Sequence, residues 1–219
     1  MQQYQIILFD LDGTLTDSAP GILNSVRHAC RQLQLDLPDE GTLQKFLGPP
    51  LPASFRDYLH LEEADIARAV AAFREYYPDK GIFENEVYAG IPALLKDLKA
   101  AGKTVLMATS KPEEFAKRIM AHFSLETCFD GIYGATMDET RTDKGEVIAY
   151  ALHTAGITDL RNAVMVGDRE HDVKGAARNG LPCIGAVYGY GTARELSEAG
   201  ACALADTVED LRRLLLNSL

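Results

Sequence analysis

The sequence predicts an α/β protein: a parallel sheet flanked by helices, with an all-helical block spliced in directly after the first strand. Three observations lead there. The apolar run Ile6-Ile7-Leu8-Phe9 reads as a buried parallel strand and is cut short by Asp10-Leu11-Asp12-Gly13. From Val87 onward, strand-like and helix-like patterns alternate, which is the signature of a parallel sheet with helices on both faces. Between residues 18 and 82 no strand pattern occurs. Residues 1–16 and 83–219 are therefore expected to form the α/β core, and 17–82 the inserted helical block.

Each element has its own local reason. Gly13 ends the first strand, since strands rarely run through such a residue. Ser18 to Leu35 is amphipathic, with Ile22, Val26, Ala29, Cys30 and Leu33 at helical spacing, and Pro38 closes it. Three further helices are expected near 39–47, 52–60 and 62–77, the first two separated by Gly48-Pro49-Pro50, which reads as a rigid turn. A helix near 91–101 ends at Gly102, and Thr104 to Thr109 is a strand. A helix near 113–123, a strand at 131–134, a helix near 144–155 and a strand at Ala163 to Val166 follow. A helix near 172–179 leads to the strand Cys183 to Val187, and a last helix–strand–helix unit closes the chain. The Gly189-Tyr190-Gly191 stretch lacks dinucleotide-binding spacing and reads as a core loop.

The bulk numbers exclude several classes. The chain has 219 residues and a net charge of −10, which argues against a nucleic acid polymer or an anionic membrane as partner. The four cysteines are scattered and do not combine with the five histidines at zinc spacing, so reduced, buried thiols of a cytoplasmic protein are expected. The apolar run before Asp10 is too short for a secretory signal, and no stretch is long enough to span a bilayer.

The acids after the first strand pose an electrostatic problem. At about 5 Å and an effective dielectric near 20, Asp10 and Asp12 repel by roughly 3 kcal/mol, and a hard divalent cation would relieve this. Other strand ends are also polar: Thr109-Ser110-Lys111 after the second strand, Gly167-Asp168 after the fourth, with Asp172 four residues on, and Lys144 opening the helix after the third. In a parallel sheet all of these ends face one edge. Acids to hold magnesium, and a lysine and hydroxyl to hold phosphoryl oxygens, suit metal-assisted chemistry on a phosphate.

Asp10-Leu11-Asp12-Gly13-Thr14-Leu15 and the three later motifs, in this order, resemble the haloacid dehalogenase superfamily, and most of all its phosphoglycolate phosphatase and 5′-nucleotidase-like branch. The resemblance covers essentially the whole chain. It implies a Rossmann-like core, a helical cap formed by the inserted block, and a magnesium-dependent phosphomonoesterase acting on a small phosphorylated metabolite. It implies Asp10 as the nucleophile that becomes an aspartyl-phosphate, and Asp12 as the group that exchanges the proton. Magnesium would rest on Asp10, the backbone carbonyl of Asp12, and Asp168, with Asp172 positioning them. Thr109 and the amide of Ser110 would reach phosphate oxygens, and Lys144 would neutralise Asp10 and the transferring group.

The chain departs from the phosphoglycolate pattern at Arg141-Thr142-Asp143-Lys144, where a lysine stands without flanking prolines and Arg141 competes for its role. Arg169 and His171 in Asp168-Arg169-Glu170-His171-Asp172 resemble the nucleotidase-like group. Arg27, Lys45 and Arg56 in the helical block are candidate substrate contacts. A phosphomutase on the same fold, a dehalogenase and a phospho-accepting receiver module are the alternatives. Asp12 and Asp168 speak against the dehalogenase, and length and the helical insertion against the receiver. Either a monomer or a homodimer is compatible with the chain.

Overall fold

The computed structural model describes residues 4–138 and 140–216. The chain divides into two compact units, residues 1–17 with 87–219 and residues 18–86.

The larger unit is built on a six-stranded sheet. Its strands are β1 (Ile6–Phe9), β4 (Thr104–Pro112), β5 (Gly131–Ala135), β6 (Ala163–Gly167), β7 (Cys183–Ala186) and β8 (Ala203–Ala205), in the order β5-β4-β1-β6-β7-β8. Strand β1 pairs in parallel with β4 on one side and β6 on the other, and the outer pairs are parallel too. The chain runs outward from β1 through β4 to β5, then returns to build β6, β7 and β8 on the opposite side. β1 therefore lies at the switch point, where open α/β sheets leave a crevice at the carboxyl ends of their strands.

Helices α5 (Ile91–Ala100), α6 (Glu113–His122), α7 (Lys144–Thr154), α8 (Glu170–Arg178), α9 (Ala193–Ala199) and α10 (Val208–Leu216) fill the connections. One face of the sheet, carrying Leu8, Leu106 and Met165, packs on Val147, Ile148 and Ala151 of α7 and Val173 and Ala176 of α8. Apolar residues of the alternate set, Ile7, Phe9, Val105, Met107, Val164 and Val166, are fully buried as well. A strand buried on both sides needs no polar alternation, which is why these segments read as continuous apolar runs.

The smaller unit holds α1 (Ala19–Gln32), α2 (Glu40–Gln44), α3 (Leu51–Leu59) and α4 (Glu63–Tyr76), and α4 packs on both α1 and α3. It extends to Glu86, four residues past the expected boundary, because a short 3-10 turn at Gly81–Phe83 belongs to it. Gly21 of α1 lies against that turn, where a Cβ would collide with the Gly81 carbonyl, and its amide donates to Glu84 O at 2.9 Å. The division between units falls in a two-stranded sheet formed by β2 (Thr16–Asp17) and β3 (Glu86–Val87), which no sequence pattern announces.

Other differences are local. Strand β4 runs on to Pro112 with a register shift against β5 between Thr109 and Pro112. Helix α8 starts two residues earlier than expected, because the carboxylates of Asp172 and Glu195 accept from the amides of Arg169 and Glu170 at 3.0 Å each. Cys30, Cys128 and Cys183 are buried, but Cys202 is exposed, contrary to the expectation of uniformly buried thiols. Its position just before the edge strand β8 leaves it uncovered.

Candidate active site

The site is assembled by strand register. Phe9 pairs with Met107 and with Val166, so Asp10 lies level with Ala108 and Gly167, and Thr109 and Asp168 come one residue later. The amide of Asp10 donates to Val166 O at 2.9 Å, continuing the β1–β6 ladder to the acid itself. Beyond Asp10 the chain folds tightly on itself: the amides of Leu15 and Thr16 both bond Leu11 O, and Gly13 N bonds Thr16 O.

Asp10, Asp168 and Asp172 are all buried, and each offers a carboxylate oxygen within 4.8 Å of the others. Lys144 opens α7 and reaches into this group. Its Nζ is 2.7 Å from Asp10 Oδ1 and 2.8 Å from Asp172 Oδ1, and it donates to Ala108 O at 3.2 Å. The lysine is aimed by its helix. Asp143 caps α7 by accepting from Glu146 N and is held in turn by the guanidinium of Arg178. Gly175 of α8 leaves space for the stem, since a Cβ there would sit 2.8 Å from Lys144 Cγ.

Burial pushes the Asp168 carboxyl well above the usual carboxylate range, and the charges of Asp172 and Asp10 push it further, against the pull of the Tyr190 amide. Burial also raises Asp172, partly offset by Lys144. Burial alone would lower Lys144, but Asp10 and Asp172 outweigh it and hold the ammonium charged. Asp12 points elsewhere: its Oδ2 is 3.0 Å from Nζ of Lys111, whose side chain is 6% exposed. Around this edge the four carboxylates of Asp10, Asp12, Asp168 and Asp172 face the ammonium groups of Lys111 and Lys144. With all four acids counted as ionised, two negative charges are left over, which one divalent cation would balance, and an all-oxygen donor set suits magnesium. The residues therefore fit the metal that the sequence implies.

Asp168 is held from two sides. Thr14 Oγ1 donates to its Oδ1 at 3.3 Å, and the amide of Tyr190 donates to its Oδ2 at 2.8 Å. Gly13 has φ +78°, and any Cβ there would run into the Asp168 carboxylate. Gly189 and Gly191 approach as closely: a Cβ on the first would meet Gly13 O, and on the second Asp168 O. The Gly189-Tyr190-Gly191 loop is thus a wall of the site rather than a plain core loop, and the Tyr190 hydroxyl donates to Asp17 Oδ1 at 3.0 Å.

Thr109 is buried at the end of the straight part of β4, its Oγ1 accepting from Lys111 N at 3.2 Å, while Ser110 is exposed. Arg141 does not share the place of Lys144. Its guanidinium lies 3.6 Å from the ring centroid of Tyr150 and donates twice to Gly134 O. Arg169 pairs with Glu195 at 2.9 Å, and His171 is exposed. In the helical unit, Arg27 pairs with Glu40 at 2.8 Å, Arg56 with Glu63 at 3.1 Å, and Lys45 Nζ lies 5.8 Å from the Tyr58 ring centroid. Sequence reasoning assigned no task to Lys111, Thr14 or Tyr190. Only the Lys in Thr109-Ser110-Lys111, a cation at an acidic strand edge, carried a signal that could have been used.

Comparison with known proteins adds a lineage. The sequence profile described as haloacid dehalogenase-like hydrolase matches residues 7–186. The chain is 45% identical over 194 residues to a 5′-nucleotidase of Pseudomonas aeruginosa, covering 89% of this chain and 87% of that one. It is 40% identical over 214 residues to the tyrosine-protein kinase PtkA of Mycobacterium tuberculosis, covering 96% of this chain and 72% of that one. The crystal structure of a protein described as a predicted phosphatase from Clostridium acetobutylicum superimposes with a TM-score of 0.92 at 44% identity, covering 99% of this chain and all of that one.

Proposed function

The chain belongs to the haloacid dehalogenase-like hydrolases, and from that premise we propose that it is a magnesium-dependent phosphomonoesterase working through an aspartyl-phosphate on Asp10. The observation that carries this reading is the pairing of Asp10 with Lys144, 2.7 Å apart, inside a carboxylate cluster short of two positive charges. An acid so placed is fixed in direction, and the ammonium group beside it offsets the repulsion of the phosphoryl oxygens it must approach.

In the first step an oxygen of Asp10 forms a bond to phosphorus, the ester P–O bond breaks, and the departing alkoxide takes a proton from Asp12. In the second, Asp12 removes a proton from water, which attacks phosphorus and releases inorganic phosphate and free Asp10. Thr109 and the Ser110 amide hold phosphoryl oxygens, while Lys144 offsets charge on Asp10 and the transferring group. Asp10, Asp168 and the Asp12 carbonyl would hold magnesium, which would supply neutralisation of the charge that develops in both steps. Asp172 keeps Lys144 in place. The helical unit is read as a cap that selects the leaving group.

A nucleoside 5′-monophosphate is favoured over phosphoglycolate as the substrate class. The relative named 5′-nucleotidase and the Arg169 and His171 variants around Asp168 support it. The 40% identity to a protein named as a tyrosine kinase motivates a second reading, in which the phosphoryl group on Asp10 passes to a tyrosine hydroxyl instead of water. The test is phosphate release from p-nitrophenyl phosphate and nucleoside 5′-monophosphates, with and without magnesium. Asp10→Asn should abolish release while its circular dichroism matches wild type, and full activity in that variant would overturn the reading. Transfer of label from ATP to a tyrosine peptide without net hydrolysis of monoesters would favour the second.

A further inference from the structure

The two oxygens of Asp12 stand in different surroundings. Oδ2 is 3.0 Å from Lys111 Nζ. Oδ1 is buried and has no hydrogen-bond partner among the described residues. A buried carboxylate oxygen left without a partner is costly, and a catalytic role is one of the reasons for which such an atom is kept.

Lys111 is built to hold its end of this arrangement. Its amide donates to the Thr109 hydroxyl at 3.2 Å, and its carbonyl is backed by Gly134 of β5, where a Cβ would come within 2.6 Å of Lys111 O. These contacts fall in the Thr109–Pro112 register shift of β4, the irregularity that turns residue 111 away from the regular strand path. A side chain anchored by its own backbone on both sides can place an ammonium group to the tolerance that proton transfer needs.

We propose that Lys111 is a positioning residue that divides the work between the oxygens of Asp12: the ammonium group holds Oδ2, and Oδ1 is thereby presented to the leaving-group oxygen of the substrate. The assignment rests on the phosphomonoesterase reading above. It concerns where the carboxyl points. Asp12 gives its proton from Oδ1 to the departing alkoxide as the P–O bond breaks, and takes one back there from the attacking water.

The consequence is selective. An alkoxide leaving group, as in a nucleoside 5′-monophosphate, needs the proton, whereas p-nitrophenolate departs without it. Lys111→Met keeps the stem and removes the ammonium group. With this variant, kcat for the nucleoside monophosphate should fall about 10²-fold, the scale of one general-acid contribution, with kcat for p-nitrophenyl phosphate falling much less and KM for both near wild type. Lys111→Arg should recover part of the loss on the alkyl ester. Should Lys111→Met fail to fold, Lys111→Gln, which keeps a polar side chain but is too short to hold Oδ2, carries the comparison, with the same selective loss expected.

Equal losses on both esters, unchanged kcat on both, or a rise in KM at constant kcat would overturn the assignment, the last by making Lys111 a substrate contact. These outcomes leave the phosphatase reading standing. A wild-type protein that hydrolyses neither ester, or an active Asp10→Asn variant, overturns that reading and this assignment with it.

Discussion

The backbone amide of Tyr190 donates to Asp168 Oδ2 at 2.8 Å across 22 residues of sequence. The loop after β7 thereby fixes an acid that follows β6, and it does so through main chain, leaving the Tyr190 ring to contact Asp17 by its hydroxyl. The close approach exists only because the neighbours of Tyr190 lack side chains. Gly191→Ala should therefore do more than crowd a loop: its Cβ would collide with the Asp168 carbonyl oxygen. The expected cost is about 1–3 kcal/mol of stability, the range for overpacking. Magnesium-dependent activity should fall as Asp168 is displaced, and a magnesium titration of activity alongside a thermal melt measures both. A half-saturating magnesium concentration equal to wild type would refute the link between loop and acid.

Asp168 itself is the clearest place to test the metal. Without a cation, its buried carboxyl is crowded by Asp10 and Asp172, and the Tyr190 amide, the charge of Arg169 and the Thr14 hydroxyl do not outweigh this. Asp168→Asn keeps the shape and removes a charge, so the metal-free protein should be as stable as wild type or more so. In wild type, magnesium at 100 times its dissociation constant should add about 2.7 kcal/mol. For a chain of this size that is an upward shift of Tm by roughly 5–10 °C. Asp168→Asn should lose most of that shift together with activity. A destabilised apo variant that keeps the magnesium shift would place the cation elsewhere.

How far the site was legible follows from what each residue depends on. Asp10, Asp168 and Thr109 are strand-end residues, and a parallel sheet sends strand ends to one edge whatever the side chains do afterwards. Lys144 was legible as the opening residue of a helix, but its choice over Arg141 was not. That choice turns on the Tyr150 ring and the Gly134 carbonyl, which capture the arginine in space. Lys111 was hidden because its direction depends on the register shift after Thr109. Tyr190 was hidden because an amide contact bears no relation to side-chain type. The strands β2 and β3 have two residues each, below the length at which alternation can be seen.

Outside the site, Asp130 offers a pH test. Its Oδ1 is 2.5 Å from Lys99 Nζ and its Oδ2 accepts from Val105 N at 2.8 Å, tying the entry of β5 to β4. Partial burial would raise this carboxyl, but the Lys99 hydrogen bond and the Val105 amide outweigh it and hold it below its ordinary value. A carboxyl depressed in the folded state binds its proton more readily when unfolded. Its contribution is therefore complete above the usual carboxylate range and is lost as pH falls through the depressed folded value. Asp130→Asn should be less stable than wild type at neutral pH, and the gap should close in strong acid. Urea unfolding across pH measures it, and a gap independent of pH would refute the assignment.

Lys144 gives the sharpest coupling between stability and chemistry. It is 5% exposed and serves Asp10 and Asp172 at once. Lys144→Met preserves much of the stem that packs beside Gly175 but strips the only ammonium group within ion-pair distance of those two acids among the described residues. Removing one partner of a buried pair costs about 3–5 kcal/mol, because the other charge is left behind. The charge deficit around the metal position rises from two to three, so a divalent cation has more repulsion to relieve in the variant than in wild type. Magnesium should then raise the Tm of Lys144→Met by more than it raises that of wild type, although the variant starts lower. Activity should move the other way, with kcat down about 10²–10³-fold even at saturating magnesium, because a charge aimed at the transferring group is gone. Thermal melts over a magnesium series and steady-state rates on the same samples separate the two effects. A magnesium shift equal to or smaller than wild type would refute the account in which repulsion among the acids sets the benefit of the cation.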